Sequence, residues 1–323
     1  MTSGQIWQKA NNTQTNYKNH LVLLLSMANP FNTLGKYYNN EIICKRNGAV
    51  VTITINAPQR MNTMSGNVNQ GVVQALQMAA DDASVLVVVF TGAGDKSFSA
   101  GGNLQGGAAS AGMRQAGGEG RPPPTVTAAV SNLRSMMSSS QLLRNSHFVS
   151  IAAVNGACAG AGLSWACACD LRIGAENVLF RAGFLTAGLS GDFGGTWLLP
   201  RIVGPAKARE MYLMNEKIRG EEAKLIGLVS KVLPFRGDAF QREVQVLAQS
   251  IAQAAPLALK RIKANFIDAD RLSFAEHLDV EAERHTKSGF HVDASEAGLA
   301  FMKKRKPVFQ GLKERESWEA SKL

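Results

Sequence analysis

The chain has 323 residues, of which 45% are hydrophobic and 19% are charged, a composition that excludes a disordered protein and allows a sizeable buried core. Its longest apolar runs, at 21–25 and 85–90, are far shorter than the ~18 residues that a membrane-spanning helix needs, so an integral membrane protein is not expected. The net charge of +10 admits nucleic acid, an anionic membrane surface or a polyanionic small molecule as a partner.

The cysteines and histidines predict neither a disulfide framework nor a metal site. Four cysteines in a chain of this length are typical of reduced, buried thiols, which favours a cytoplasmic location. The five histidines lack the spacing of metal ligands. We therefore expect no metal.

Residues 1–40 differ from the rest of the chain. They contain eight asparagines, no acidic residue, and only Lys9, Lys18 and Lys36 as charged side chains. This composition predicts a polar N-terminal extension that is poorly ordered.

The first regular pattern follows residue 41. Val51, Ile53 and Ile55 alternate with polar residues, which predicts a half-buried strand. Apolar residues at helical spacing predict a helix over 65–82, and the continuous apolar run at 85–90 predicts a strand buried on both faces. These three elements form a β-α-β unit with a parallel sheet.

A second passage of the same kind begins with a strand at 148–154. A glycine-rich turn and a helix at 163–168 follow it, and then come strand-like segments at 171–174 and 178–181. The chain is predominantly helical after Thr196. The glycine- and proline-rich segment at 105–125 predicts a mobile loop. The predicted organisation is thus the extension at 1–40, an α/β core at 41–234 and a helical C-terminal subdomain at 235–323.

Two glycine-rich turns each lie between a predicted strand and a predicted helix: FSAGGNL at 98–104 and NGACAGAG at 155–162. The second is not a dinucleotide-binding fingerprint, because Trp165 occupies the position of the third glycine. Backbone N–H groups that converge from two such turns can hold the oxygen of a thioester as it becomes an enolate. The alternative is that both turns need glycine only for tight packing.

Six segments resemble the crotonase (enoyl-CoA hydratase/isomerase) superfamily in their sequences and in their order along the chain. They are NAPQRMNTMS at 56–65, the two glycine-rich turns with the sequence that follows the second, GLSGDFGGTWLLPRIVG at 188–204, IRGEEAKLIGLVSKVLP at 218–234 and FMKKRKPVFQGL at 301–312. The resemblance covers about residues 41–312. It implies an α/β fold with a spiral core of ββα units and a C-terminal helical subdomain that takes part in oligomerisation, as a homotrimer or a dimer of trimers.

The resemblance also implies roles for individual residues toward an acyl-CoA thioester. The backbone N–H groups of Gly102 and Ala161 would form the oxyanion hole. The residues that would contact CoA are Arg60, near the phosphates, and Ala100, Gly101, Asn103 and Leu104, along the pantetheine and adenine. No cofactor beyond the CoA moiety of the substrate is expected.

The chain departs from the hydratases of this superfamily at both catalytic carboxylates, because Ser164 and Phe184 stand where two glutamates are usual. Ser164 can hold a water molecule by hydrogen bonding but cannot accept its proton at neutral pH. Ordinary water addition by the two-carboxylate route is therefore not expected.

One acid, Asp192, remains near these positions. An aspartate at this place shuttles a proton in several isomerases of the superfamily, and an apolar surrounding would raise its pKa. The alternative is that Asp192 caps the helix that begins at Gly194 or Gly195. Asp170, at another widespread family position, is expected to be structural, holding a turn or a neighbouring segment.

The sequence thus predicts an acyl-CoA enzyme that isomerises an enoyl-CoA double bond with Asp192 as its single acid and base. The alternatives are a hydratase or hydrolase of an unusual acyl-CoA, and a non-catalytic relative that binds CoA or RNA. Nucleic acid is the less favoured partner, because the basic run KKRK at 303–306 has no interleaved aromatic residues. We expect the acyl pocket to contain Trp165, Phe184, Phe193, Trp197 and the loop at 105–125, which would suit a bulky or hydrophobic acyl chain.

Overall fold

The structure is a computed structural model that describes residues 31–102 and 125–312. Its helices are α1 (Phe31–Tyr37), α2 (Gly66–Asp81), α3 (Val126–Met136), α4 (Ser138–Asn145), α5 (Ala161–Ala168), α6 (Gly195–Val203), α7 (Pro205–Leu213), α8 (Gly220–Leu225), α9 (Gly237–Ala252), α10 (Pro256–Ala269), α11 (Phe274–Gly289) and α12 (Val292–Met302). Its strands are β1 (Ile42–Asn47), β2 (Val50–Ile55), β3 (Val87–Gly92), β4 (Ser97–Ser99), β5 (Val149–Val154), β6 (Ala157–Ala159), β7 (Leu171–Gly174), β8 (Leu179–Arg181), β9 (Ile218–Arg219) and β10 (Lys231–Val232).

The strands form two sheets. The larger has six strands in the order β1-β2-β3-β5-β7-β10, and the smaller has four in the order β4-β6-β8-β9. In the larger sheet only the β1–β2 pair is antiparallel. This confirms the predicted α/β class and the parallel β-α-β passages. The sequence did not predict β1 and β10 of the larger sheet or β4, β6 and β9 of the smaller one.

The larger sheet is covered on both faces. Phe240, Val244 and Ala248 of α9 pack against side chains that include Val87 and Val89 on one face. On the other face, α2 and α5 pack over side chains such as Val88 and Phe90. All six residues of β3 are buried, as expected for a strand inside a parallel sheet.

Part of the segment predicted as an extension is folded. Phe31, Leu34 and Tyr38, in or next to α1, are buried and join the cluster beneath α2. An expectation of disorder therefore does not hold for residues 31–40. Residues 1–30 and the loop predicted at 105–124 lie outside the described residues.

Three further observations bear on the sequence predictions. All four cysteines are buried and free of disulfides. Within the described ranges, none of the helices combines the length and apolarity needed to cross a membrane. The same part of the chain holds no cluster of acidic, histidine or cysteine side chains that could bind a metal ion.

Candidate active site

A cavity of about 250 Å³ lies where the two glycine-rich turns meet the segment that precedes α6. It opens between the ends of β4, β6 and β8. The residues that line it are Ala100, Gly102, Ala159, Gly160, Ala161, Arg181, Gly183, Phe184, Thr186, Ala187, Leu189 and Asp192. The walls of the cavity therefore come from three segments that are distant in sequence: 100–102, 159–161 and 181–192.

The two turns touch at Gly101. A Cβ atom at this position would lie 2.8 Å from the carbonyl oxygen of Ala159 and 3.3 Å from the backbone nitrogen of Ala161. Gly101 also has φ of +84°, in the left-handed region that favours glycine. Glycine is thus required here for close approach as well as for backbone conformation.

Ala161 is the first residue of α5, so its N–H has no carbonyl partner within the helix. Gly102 lines the same cavity on the other turn. The positive end of the α5 dipole adds to the favourable environment for an anion at this place. Two of the predicted oxyanion-hole residues are thus brought to one cavity.

Asp192 also lines the cavity, from the loop before α6. Its Oδ1 atom is buried and has no hydrogen-bond partner among the described residues. Burial raises the pKa of the Asp192 carboxyl from 3.8 to about 6. The side chain does not cap α6, whose N-cap is Gly194, and only the Asp192 carbonyl accepts a bond, from Gly195 N–H at 3.1 Å.

The two positions where hydratases carry glutamate have different surroundings. Phe184 lines the cavity, and its ring stacks on Tyr212 with 5.9 Å between centroids. Ser164 is completely buried on α5, does not line the cavity, and its Oγ has no partner among the described residues. Asp192 is therefore the only carboxylate among the residues that line the cavity.

The other residues predicted to contact CoA are only partly brought together. Ala100 lines the cavity and Gly101 adjoins it. Arg60 is instead paired with Glu41 at 2.9 Å and donates to Ser65 Oγ at 3.2 Å, so its role toward CoA phosphates stays a prediction. Asn103 and Leu104 lie outside the described residues.

Of the residues predicted in the acyl pocket, Phe184 lines the cavity, and neither of the two tryptophans does. Trp165 is fully buried, and its indole N–H donates to Ser139 Oγ at 2.8 Å. Phe193 packs edge-to-face on Trp165 with 5.4 Å between centroids, behind the cavity wall. Trp197 points outward, with the guanidinium of Arg201 3.6 Å above its ring, because Leu198 and Leu199 occupy the inward face of α6.

Two residues near the cavity were not anticipated from the sequence. Arg181, at the end of β8, lines the cavity and donates from Nε to Asn215 Oδ1 at 3.0 Å. Tyr212, on α7, stacks behind Phe184. The alternation of β8 marks Arg181 as lying on the opposite face from buried Phe180, but no local pattern distinguishes Tyr212.

Comparison of the sequence with models of protein families shows to which family the chain belongs. Residues 45–313 match the family model described as "Enoyl-CoA hydratase/isomerase". The chain belongs to the enoyl-CoA hydratase/isomerase family. It is therefore an acyl-CoA enzyme, a lyase or an isomerase, as the resemblance of its six ordered segments predicts.

Relatives of this family include both reaction types. The chain is 29% identical over 279 residues to a short-chain-enoyl-CoA hydratase of Clostridium acetobutylicum, covering 85% of this chain and 99% of that protein. It is 30% identical over 282 residues to a peroxisomal Delta(3,5)-Delta(2,4)-dienoyl-CoA isomerase of Arabidopsis thaliana, covering 87% and 100%. An enoyl-CoA hydratase structure from Bacillus anthracis superposes with a TM-score of 0.73 at 28% identity, covering 84% and 100%.

Proposed function

We propose that the protein shifts the double bond of an enoyl-CoA, with Asp192 as the only group that takes and returns the proton. The observation that carries this proposal is a buried carboxyl of raised pKa in a cavity whose other lining residues include no carboxylate. A hydratase of the usual kind needs two carboxylates on one water. Isomerisation needs only one acid and base.

The proposed reaction transfers one proton from C2 to C4 of the acyl chain. Asp192 removes a proton from C2 of a 3-enoyl-CoA, and the electron pair of the broken C–H bond delocalises into a dienolate whose negative charge rests on the thioester oxygen. The N–H groups of Gly102 and Ala161 hold that oxygen, an interaction whose removal typically costs ~2.7–4 kcal/mol of activation free energy. The same carboxyl then protonates C4, which gives the 2-enoyl-CoA.

A raised pKa suits this double role. A carboxyl with a pKa of about 6 is ionised enough at neutral pH to accept a proton and acidic enough to return it. An exposed aspartate of ordinary pKa would be a weaker base toward carbon. Burial in an apolar cavity therefore supports the assignment of Asp192 as catalytic.

The test is to supply purified protein with a 3-enoyl-CoA and, separately, a 2-enoyl-CoA in deuterated water. We expect interconversion of the isomers and deuterium at C2 and C4, because the Asp192 proton exchanges with solvent between turnovers. A product that carries a new hydroxyl group would show that the protein hydrates the substrate and does not isomerise it. Binding of CoA without any change in either substrate would favour a non-catalytic relative.

We further propose that the protein assembles as a homotrimer or a dimer of trimers through its C-terminal helices. Phe266 on α10, Phe274 on α11 and Phe301 on α12 are 72%, 78% and 86% exposed, and large exposed apolar side chains on neighbouring helices favour an interface. Light scattering is expected to give three or six times the 34.6 kDa chain mass. Phe301→Glu should lower that mass, whereas Val246→Glu on α9, which is also exposed, should not.

The cysteines support a location in the cytoplasm. Cys44, Cys158, Cys167 and Cys169 are buried and unpaired, the usual condition of thiols in a reducing compartment. Fractionation of the source cells checks this proposal, and recovery outside the cytoplasm would contradict it.

A further inference from the structure

Three buried side-chain polar atoms near the cavity lack a well-formed hydrogen bond among the described residues. They are Ser164 Oγ, the Tyr212 hydroxyl and Asp192 Oδ1. They come from α5, from α7 and from the loop that precedes α6. The cavity is lined by Asp192 but by neither Ser164 nor Tyr212, so the two hydroxyls lie outside the cavity lining.

Two of the three groups, the Ser164 and Tyr212 hydroxyls, meet at Gly195, the first residue of α6. A Cβ atom there would lie 2.3 Å from the Tyr212 oxygen and 2.4 Å from Ser164 Oγ, so both hydroxyls approach the same point. Tyr212 Cε1 lies 3.6 Å from the Cβ position of Gly191, the residue before Asp192. The tyrosine therefore runs along the 191–195 turn that carries the carboxyl.

An unsatisfied buried polar group costs about 1–3 kcal/mol, and three in one place are rare in folded proteins. One buried water molecule typically makes about three hydrogen bonds and can satisfy all of them. We propose that Ser164, Tyr212 and Asp192 Oδ1 together bind one water molecule, and that Tyr212 and Ser164 are positioning residues for the Asp192 carboxyl. Their catalytic effect rests on the proposed function of Asp192.

The groups around Asp192 leave the two hydroxyls as neutral donors. Burial raises the pKa of the Tyr212 phenol well above its usual range, and it raises the pKa of the nearby Cys167 thiol on α5 to about 11. Arg181 on β8 is the charged side chain that shares the cavity with Asp192. A water molecule held by neutral hydroxyls donates to Oδ1, which favours the carboxylate and partly offsets the effect of burial.

Tyr212→Phe removes one of the groups that hold this water and keeps the ring that stacks on Phe184. We expect the pKa of Asp192 to rise by about 0.5 to 1 unit, on the scale of one weakened hydrogen bond to a carboxylate. Infrared difference spectra of the protonated carboxyl measure that pKa, with the band assigned by its loss in Asp192→Asn. Ser164→Ala should shift the pKa in the same direction.

The rising limb of kcat/KM with pH is expected to move upward by the same amount in Tyr212→Phe, with KM nearly unchanged. Tyr38→Phe is the matched control, because the Tyr38 hydroxyl bonds to Gln74 beneath α2, away from the cavity. It should leave both the infrared titration and the pH profile unchanged.

An unchanged Asp192 titration in both Tyr212→Phe and Ser164→Ala overturns the proposal, and so does a high-resolution crystal structure without an ordered water among the three atoms. The infrared titration needs no substrate. Its outcome therefore stands apart from that of the isomerisation assay, and failure of either proposal can be recognised separately.

Discussion

Asp192→Asn is expected to slow isomerisation of an enoyl-CoA by about 10²–10⁴-fold, the usual contribution of a positioned general acid and base. The amide has nearly the same shape but neither accepts the proton from C2 nor returns it to C4. CoA affinity should stay within about twofold of wild type, because none of the predicted contacts with CoA uses the Asp192 side chain. Steady-state kinetics and calorimetric titration with CoA measure the two effects.

The same substitution is expected to stabilise the fold at neutral pH. The folded-state pKa of Asp192 is raised from 3.8 to about 6, so between these values the folded protein binds more protons than the unfolded chain. Its free energy of unfolding therefore falls as pH rises through this window, by up to about 3 kcal/mol at pH 7. Urea unfolding should show Asp192→Asn more stable than wild type at pH 7, with the gain absent below about pH 4.

Asp238→Asn is the matched control, because Asp238 is an exposed aspartate in the first turn of α9. It should leave isomerase activity unchanged. Full activity in Asp192→Asn would mean that another residue moves the proton. If Asp192→Asn is inactive but more stable than wild type, burial of the ionised carboxyl lowers the free energy of unfolding and is retained because catalysis requires it.

The sequence predicted the elements of the core well because their signals are local. The helix at 65–82 is present as Gly66–Asp81, with Ser65 as its N-cap accepting from Val68 N–H, and the strand at 171–174 has the predicted bounds. Of the second sheet only β8 was predicted, as the strand-like segment at 178–181. Its other strands, β4, β6 and β9, were missed because they have only two or three residues each and too few side chains to show alternation.

The residues of the candidate site could be predicted where glycine-rich turns fix the backbone. They could not be predicted where side-chain packing decides which residues face the cavity. Gly102, Ala161 and Asp192 were named from ordered motifs, and the structure places all three on one cavity. Trp197 was also predicted to lie in the pocket but does not line this cavity. Its orientation depends on which face of α6 is buried, which the sequence alone did not reveal. Tyr212 was missed because only the tertiary fold brings α7 beside the 191–195 turn.

Asp170→Ala is expected to lower the free energy of unfolding by about 1–3 kcal/mol, less than for a fully buried ion pair because the Asp170 side chain is 30% exposed. The Lys263 ammonium of α10 pairs with Asp170 Oδ1, and the lysine side chain is only 4% exposed. The other carboxylate oxygen accepts from Ser150 N–H at 2.8 Å, on β5. Asp170 therefore joins a C-terminal helix to the central sheet, as its structural assignment predicts.

Two variants separate the buried charge from the lost contacts. Glu283→Ala breaks the Lys287–Glu283 pair on α11, whose side chains are 43% and 62% exposed, and should cost less than about 0.5 kcal/mol. Asp170→Ala combined with Lys263→Met should recover much of the loss, because no charge is then left buried. Urea unfolding at one fixed protein concentration measures all three. A loss in Asp170→Ala no larger than in Glu283→Ala would show that α10 is held to the sheet by its apolar contacts alone.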